Sequence, residues 1–178
     1  MIYFTSDSHF GHKNIIQFCQ RPFETTLDMN LHMIRSWNSI VTPDDTVYHL
    51  GDFMFSLTRK WSIRLLQQLN GNIIIIKGNH DRENMLNHYT NKGLIEGWVY
   101  NKNITYDFDG KTYNFSLSHY PHHPIVKDLI CLHGHIHGQY EHRTTYQKHP
   151  MVLDVGVDSI GYVPISIEDV IKKIFFDH

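Results

Sequence analysis

The segment that most constrains the fold is a run of four consecutive isoleucines at positions 73–76. A half-buried strand alternates apolar and polar residues, whereas an unbroken apolar run of this length indicates a strand that is buried on both faces. Such strands belong to largely parallel sheets, because helices then cover the sheet. The run therefore predicts a central strand of an α/β protein, over about residues 72–77.

The segments around this run alternate between strand and helix patterns. Short apolar runs predict further strands, and apolar residues at helical spacing, including Trp37 and Trp61, predict the inward faces of helices. The order strand, helix, strand, helix, strand favours a parallel sheet with right-handed crossovers. We predict strands at 2–5 and 46–50 and helices at about 26–41, 58–69 and 83–91.

The second half of the chain has a different pattern, in which Asp109-Gly110 is a strong hairpin signal between two strand-like segments. No repeat or linker divides the sequence, so we predict a single domain over residues 1–178. The predicted fold class is α/β, a mixed two-sheet β-sandwich flanked by helices. The second half is expected to contain strands at 104–108, 111–118, 129–132 and 151–155 and a last helix that begins near Ser166.

Polar clusters follow most of the predicted strands. Ligands of α/β proteins collect at the carboxyl ends of strands. Carboxylates, amides and imidazoles together suit borderline divalent cations. These candidate ligands are too many for one ion, so they predict a pair of metals. The clusters are Asp7-Ser8-His9, Gly51-Asp52, Gly78-Asn79-His80-Asp81, Ser118-His119 and Gly134-His135-Ile136-His137.

Composition excludes some classes of protein. The chain has 178 residues, 41% hydrophobic and 19% charged, which is ordinary for a globular protein, and its net charge of −2 argues against strong non-specific binding to nucleic acid. The N-terminus has no signal-like pattern, and no apolar run is long enough for a membrane span. Because Cys19 and Cys131 are isolated, we expect free thiols and a cytoplasmic location without membrane association.

The motifs D-x-H, G-D, G-N-H-D, H and G-H-x-H occur here in one order, between Asp7 and His137. In this order they resemble the calcineurin-like metallophosphoesterase superfamily, and the size resembles its small, uncapped prokaryotic and viral members. The resemblance implies the αββα fold of that superfamily and a metal-dependent phosphoric ester hydrolase.

The resemblance also implies a role for each cluster. His80 would act as general acid toward the leaving group, and a hydroxide bridging the two metals would be the nucleophile. Relatives often use Mn²⁺, and sometimes Fe, Zn or Ni, so we expect Mn²⁺. The implied ligands are Asp7, His9 and His137 for the first metal, Asn79, His119 and His135 for the second, and Asp52 as the bridge.

One departure argues against a protein serine/threonine phosphatase. That branch extends its second motif as G-D-x-x-D-R-G, whereas Phe55 and Ser56 occupy the positions of the second Asp and the Arg. The usual carboxylate partner of His80 is therefore missing from this motif. Asp81 could orient the loop or provide a hydrogen bond behind the ligands.

Several residues near the motifs are candidate substrate contacts, with solvated loop residues as the alternative. His133, within the last cluster, is expected to pack or support its neighbours rather than bind metal. His123 belongs to the same loop as His122 and could shape the substrate pocket. The candidates are His12, Lys13, Arg21, Arg82 and His122.

The expected activity is a phosphodiesterase, because small uncapped relatives often act on diesters. The substrate would be a nucleotide, a cyclic nucleotide or another small phosphoester, and the oligomeric state stays open. One alternative is a phosphomonoesterase. Another is a catalytically inert metal-binding scaffold, which is disfavoured because the chain keeps His80 and every implied ligand.

Overall fold

The computed structural model describes residues 1–122, 124, 126–139 and 151–176. His123, one of the residues suggested to shape the substrate pocket, lies outside them. None of the helices in these ranges has the length and apolar character needed to cross a membrane. The elements in chain order are β1 (Ile2–Thr5), α1 (Ile15–Phe18), α2 (Thr26–Asn38), β2 (Thr46–His49), α3 (Arg59–Leu66), β3 (Asn72–Ile76), α4 (Glu83–Asn91), β4 (Gly97–Val99), β5 (Asn101–Phe108), β6 (Lys111–Ser118), β7 (Leu129–His133), β8 (Val152–Asp154), α5 (Val157–Ile160), β9 (Ile165–Ser166) and α6 (Ile167–Phe175).

The first sheet has the strand order β4-β3-β2-β1-β9. Strands β1 to β4 are parallel, with β1 paired to β2, β2 to β3 and β3 to β4, and β9 runs antiparallel to β1. Strands β1, β2 and β3 end at the same edge, because Thr5 pairs with His49 and His49 pairs with Ile75. The predicted parallel arrangement of the first three strands is therefore confirmed.

The second sheet has the order β5-β6-β7-β8 and is mixed. Strands β5 and β6 form the predicted antiparallel hairpin, whereas β6 with β7 and β7 with β8 are parallel. Asp109 and Gly110 both have positive φ, 49° and 72°, as a two-residue type I′ turn requires. The predicted fold class, two mixed sheets flanked by helices, is confirmed.

Two apolar clusters cover the two faces of the first sheet. Ile73 and Ile75 join the cluster formed with α2, α3 and α4, and Ile76 joins a second cluster with β6, β7 and α6. The isoleucine run is apolar throughout because its alternate side chains meet helices on one side and the second sheet on the other.

Helix α3 differs from its prediction in length and in orientation. It covers Arg59–Leu66 rather than 58–69, and its buried face is formed by Ser62, Leu65 and Leu66. Trp61 was predicted to lie in the core, but it is 59% exposed. Successive side chains of a helix point about 100° apart, so Trp61, one position before the buried Ser62, lies beside the buried face. There the Arg64 guanidinium lies 5.3 Å from the Trp61 ring. By contrast, Trp37 is buried as predicted.

Candidate metal centre

The five motif loops meet where the strands end. The loop after β1 is tied to the loop after β2, because the Asp7 amide donates to the Gly51 carbonyl at 2.9 Å. The His80 amide, after β3, donates to Asp52 Oδ1 at 2.9 Å. The loop after β7 joins them through the His135 amide, which donates to Asp7 Oδ2 at 2.9 Å. Hydrogen bonds thus join motif loops whose residues are up to 128 positions apart.

Five of the seven predicted ligands have a left-handed backbone, which non-glycine residues rarely adopt. Such conformations cost free energy and cluster at functional sites, where the surrounding contacts hold them in place. The φ values are 55° at Asp7, 48° at His9, 55° at Asp52, 73° at His135 and 51° at His137.

Asp52 lies at the centre of the cluster. Its Oδ2 atom is 3.5 Å from His9 Nε2 and 3.6 Å from His119 Nε2. The side chain is only 3% exposed, and Oδ1 is held by the His80 amide. A buried carboxylate oxygen between two imidazoles suits a ligand shared by two cations.

Asp7, His9 and His137 form the first group of ligand atoms, all within 4.8 Å of one another. Asp7 Oδ1 and both ring nitrogens of His9 are buried, and within the described residues they have no hydrogen-bond partner. Buried polar atoms without partners are rare and costly, so this group fits a cation.

His119 forms a second group of ligand atoms with Asp7 and Asp52, again within 4.8 Å of one another. Its Nδ1 donates to the Leu50 carbonyl at 2.8 Å, which leaves Nε2 facing Asn79 Oδ1 at 2.9 Å. The His135 ring lies 5.1 Å from the His119 ring, measured between centroids. The structure thus brings all seven predicted ligands into one cluster, and this donor set fits divalent cations.

Burial sets the protonation of the cluster. Burial raises the pKa of Asp7 to about 8 and lowers the pKa of His119 to about 4. Burial also lowers the pKa of His9 to about 2, and the neighbouring charges of His137 and Arg21 add to this shift. His9 and His119 are therefore neutral imidazoles at pH 7, the form that binds metal. A cation beside Asp7 would in turn favour its carboxylate form.

His80 lies at the solvent side of the cluster. Its side chain is 41% exposed, and its Nε2 is 3.9 Å from Asp52 Oδ2. The ring meets the His9 ring edge-on at 5.4 Å and the Phe55 ring at 5.2 Å. His80 therefore faces both the candidate metal ligands and solvent, where a substrate would enter.

Asp81 orients the loops, one of the two roles suggested for it. Its Oδ2 accepts hydrogen bonds from the amides of Asp52 and Gly78 at 2.8 and 2.9 Å, and its Oδ1 accepts one from Phe53 at 3.0 Å. The carboxylate thereby joins the second and third motif loops.

Arg21 was a candidate substrate contact, and the structure contradicts this. The residue is only 4% exposed, and its guanidinium forms two hydrogen bonds of 2.8 Å with the Asp158 carboxylate. It also donates to the backbone carbonyls of Asp7 and Ser8 at 2.7 and 2.9 Å. With these donors used inside the protein, Arg21 holds the first motif loop from behind.

Asp158 and Asp154 hold the last motif loop by hydrogen bonds, and the sequence reasoning missed both. Asp158 Oδ2 accepts a 2.8 Å hydrogen bond from His137 Nδ1. Burial alone would lower the pKa of His137, but hydrogen bonds with Asp158 and Cys19 and nearby charges raise it to about 10, so a cation bound to this ring would replace one of its protons. Asp154 accepts from the Gly138 amide at 3.0 Å, which fixes the last motif loop. The sequence signal for them was weak, because Asp154 is the last residue of the short strand β8 and Asp158 follows four positions later.

The other candidate contacts lie at different distances from the cluster. The His12 ring is 5.5 Å from the His9 ring and 4.2 Å from the Phe55 ring. Lys13 and Arg82 are exposed, and Arg82 lines a cleft with His80. His122 Nε2 is 2.9 Å from Ser116 Oγ on β6, so this hydrogen bond holds His122 against the second sheet.

His133 supports the last loop, in line with its prediction. It is 1% exposed, and its Nδ1 donates to the Gly134 carbonyl at 2.8 Å.

Comparisons with known proteins show which proteins this chain resembles. The chain is 33% identical to an uncharacterized protein of Methanocaldococcus jannaschii, over 97% of this chain and 90% of that protein. It is 27% identical to the Gene 66 protein of Mycobacterium phage L5, over 89% and 87% of the two chains. The crystal structure of a protein of unknown function from Aquifex aeolicus has a TM-score of 0.72 and 26% identity, covering 97% of this chain and 98% of that one.

A family model also matches this chain. The model for calcineurin-like phosphoesterases matches residues 1–172, which contain all five motif loops. The chain belongs to the calcineurin-like phosphoesterase family and is a metal-dependent phosphoester hydrolase.

Proposed function

We propose that this protein is a phosphodiesterase that works with two divalent cations. The observation that carries the proposal is the position of Asp52 Oδ2, at 3.5 and 3.6 Å from imidazole nitrogens of His9 and His119. These histidines belong to different groups of ligand atoms. A carboxylate between two such groups supports a shared, bridging role.

Each cation has its own set of ligands in this proposal, and Mn²⁺ is the metal that we expect. When bound, two such cations would lower the pKa of a water molecule and neutralise charge on the phosphoryl oxygens. The first set would be Asp7, His9 and His137, the second Asn79, His119 and His135, with Asp52 common to both.

His80 supplies the proton in this mechanism. As the bond between phosphorus and the leaving oxygen breaks, the imidazolium of His80 donates its proton to that oxygen and becomes neutral. Asp52 Oδ1 fixes the backbone of His80 through the 2.9 Å hydrogen bond, and the exposed ring can reach a substrate from the solvent side. The cleft beside His80 leaves room for an ester substituent of the substrate.

A cytoplasmic location is also part of the proposal. Cys19 and Cys131 are free thiols. Free, unpaired thiols are typical of a reducing compartment. Localisation of a tagged protein by cell fractionation would test it.

The test compares bis(p-nitrophenyl) phosphate with p-nitrophenyl phosphate, in Mn²⁺ and then in chelator. We expect Mn²⁺-dependent turnover that favours the diester. Asp52→Asn should lose bound Mn²⁺ and nearly all turnover, whereas Asp44→Asn, at an exposed carboxylate, is the matched control. Preference for the monoester would instead support a phosphomonoesterase, and bound Mn²⁺ without turnover of either ester would support an inert scaffold.

A further inference from the structure

A cleft of about 210 Å³ opens beside His80. Pockets that hold a whole small-molecule ligand usually measure roughly 300–1,000 Å³, so this cleft suits one portion of a substrate. It lies between the loop after β2, the start of α3, the loop after β3 and helix α4. Among the residues that line it are Phe53, Phe55, Arg59, His80, Arg82 and Tyr89.

The lining combines apolar side chains with two cationic side chains and with Asp81, whose carboxylate oxygens accept backbone hydrogen bonds. Phe53 and Tyr89 are buried, and Phe55 is partly exposed next to His80. Arg59 and Arg82 are exposed, and within the described residues neither guanidinium forms an ion pair with a carboxylate. By contrast, Arg21 is paired with Asp158.

We propose that this cleft is the leaving-group subsite and that it takes a nucleoside carrying a second phosphate. The proposal rests on the phosphodiesterase function above. The partly exposed ring of Phe55 suits an aromatic contact with a base, because every nucleobase has an aromatic face. The guanidinium groups of Arg59 and Arg82 suit the second phosphate, which Arg binds by charge-assisted, often bidentate hydrogen bonds.

The position of His80 assigns the cleft to the leaving group. When water attacks the phosphorus, the bond to the leaving oxygen breaks, and the bonding electron pair stays on that oxygen. This oxygen then takes its proton from His80, so the departing substituent must lie on the His80 side of the phosphorus. His80 lines the cleft, and its Nε2 is 3.9 Å from Oδ2 of the candidate ligand Asp52, which is not among the lining residues.

The experiment measures kcat/KM in Mn²⁺ for thymidylyl-3′,5′-thymidine and for the same dinucleotide with a phosphate on its 5′ or its 3′ terminus. The products identify which nucleoside leaves. We expect a phosphate on that nucleoside to raise kcat/KM roughly 10-fold or more, as charge-assisted hydrogen bonds do. The ratio of kcat/KM with this phosphate to kcat/KM without it should fall toward one in Arg59→Gln and in Arg82→Gln, mainly because KM for the phosphorylated substrate rises.

Arg64→Gln is the matched control, because Arg64 lies on the same helix as Arg59 and stacks on Trp61 outside the cleft. It should leave the ratio unchanged. No advantage from the phosphate, or an advantage that survives in both cleft variants, would overturn the subsite while leaving the phosphodiesterase function intact.

A binding measurement separates the two proposals if no dinucleotide is cleaved. Thymidine 3′-phosphate, thymidine 5′-phosphate and thymidine are titrated into the chelator-treated protein and followed by NMR. Binding that requires a phosphate and is lost in Arg59→Gln and Arg82→Gln supports the subsite without any turnover. Binding that is unchanged in these variants, or absent in the unmodified protein, overturns it.

Discussion

At the scale of single residues, the hydrogen bond between Asp158 and His137 has a testable consequence. A carboxylate that accepts from one ring nitrogen of a histidine leaves the other nitrogen available for a metal and fixes the direction of the ring. Asp158 also pairs with the buried Arg21, which holds the first motif loop. Removing the charge of Asp158 should therefore weaken metal binding without removing a ligand.

We expect Asp158→Asn to lower the affinity for Mn²⁺ roughly 10- to 100-fold, the range for partners behind metal ligands. Calorimetric titration of the chelator-treated protein measures this affinity. Asp169→Asn, at a carboxylate that is 61% exposed on α6, should leave the affinity unchanged. Equal affinities for the Asp158 variant and the unmodified protein would show that the ring of His137 needs no such support.

The role of His80 is tested by the leaving group. If His80 donates a proton, His80→Ala should cost about 10²- to 10⁴-fold in turnover of a diester with an alkoxide leaving group. The cost should be smaller for a nitrophenyl ester, because nitrophenolate leaves without a proton. Equal losses on both substrates would instead indicate that His80 positions the substrate.

At the scale of secondary structure elements, the sequence was most informative where strands are buried. The isoleucine run and the polar clusters that follow strands predicted β1, β2 and β3 and their loops, because burial on both faces leaves a continuous apolar pattern. Strands β4 and β9 contain only three and two residues, too few for a pattern. Their pairing depends on contacts with the rest of the sheet, which sequence spacing does not show.

The same limit applies inside the site. The ligand types could be read from the chain, but Asp158 could not, because its partners His137 and Arg21 are 21 and 137 positions away. Likewise, Arg21 is close to the first motif in the sequence, and this nearness led to its prediction as a substrate contact. Its burial, and thus its supporting role, depends on how the loops pack.

Gly134 shows how closely the elements must approach. A Cβ atom at this position would collide with Ser6 Oγ and Asp7 Oδ2. We therefore expect Gly134→Ala to destabilise the protein by about 1–3 kcal/mol, as overpacking does, and to displace Asp7. Urea denaturation measures the loss of stability. Gly97→Ala is the control, because nothing lies within 4 Å of its added Cβ, and it should be close to neutral.

At the scale of the whole molecule, the site joins the two sheets. Asp7, Asp52 and Asn79 follow strands of the first sheet, whereas His119, His135 and His137 follow strands of the second. Because these ligands come together only when the two sheets pack against each other, cations would bind the folded protein and not the unfolded chain. At a free Mn²⁺ concentration of about 100 Kd, this linkage adds about 2.7 kcal/mol to the free energy of unfolding.

Chelation should therefore lower the unfolding temperature, and added Mn²⁺ should raise it in proportion to the logarithm of its concentration. Differential scanning calorimetry measures both changes. Asp52→Asn provides the control, since its unfolding temperature should respond little to Mn²⁺. An unfolding temperature that is unchanged by chelator in the unmodified protein would contradict a metal site shared between the sheets.

His49 makes the stability of the whole chain depend on pH. It is fully buried, its Nε2 is 2.8 Å from Ser8 Oγ, and burial lowers its pKa to about 3. In the unfolded chain the pKa is about 6.5, so between these values the unfolded state binds one more proton than the folded state. The contribution of neutral His49 to the free energy of unfolding is therefore present above pH 6.5 and is lost as the pH drops toward 3.

For this one group, the loss between pH 6.5 and pH 5 should be about 1.5 kcal/mol. His49→Gln keeps a polar partner for Ser8 but cannot take up the proton, so its stability should fall less over the same interval. Urea denaturation in chelator at pH 8, 6.5 and 5 measures the difference, and the values at pH 8 correct for any other effect of the substitution. Parallel pH profiles for the two proteins would mean that His49 binds a proton equally well in the folded and unfolded chains.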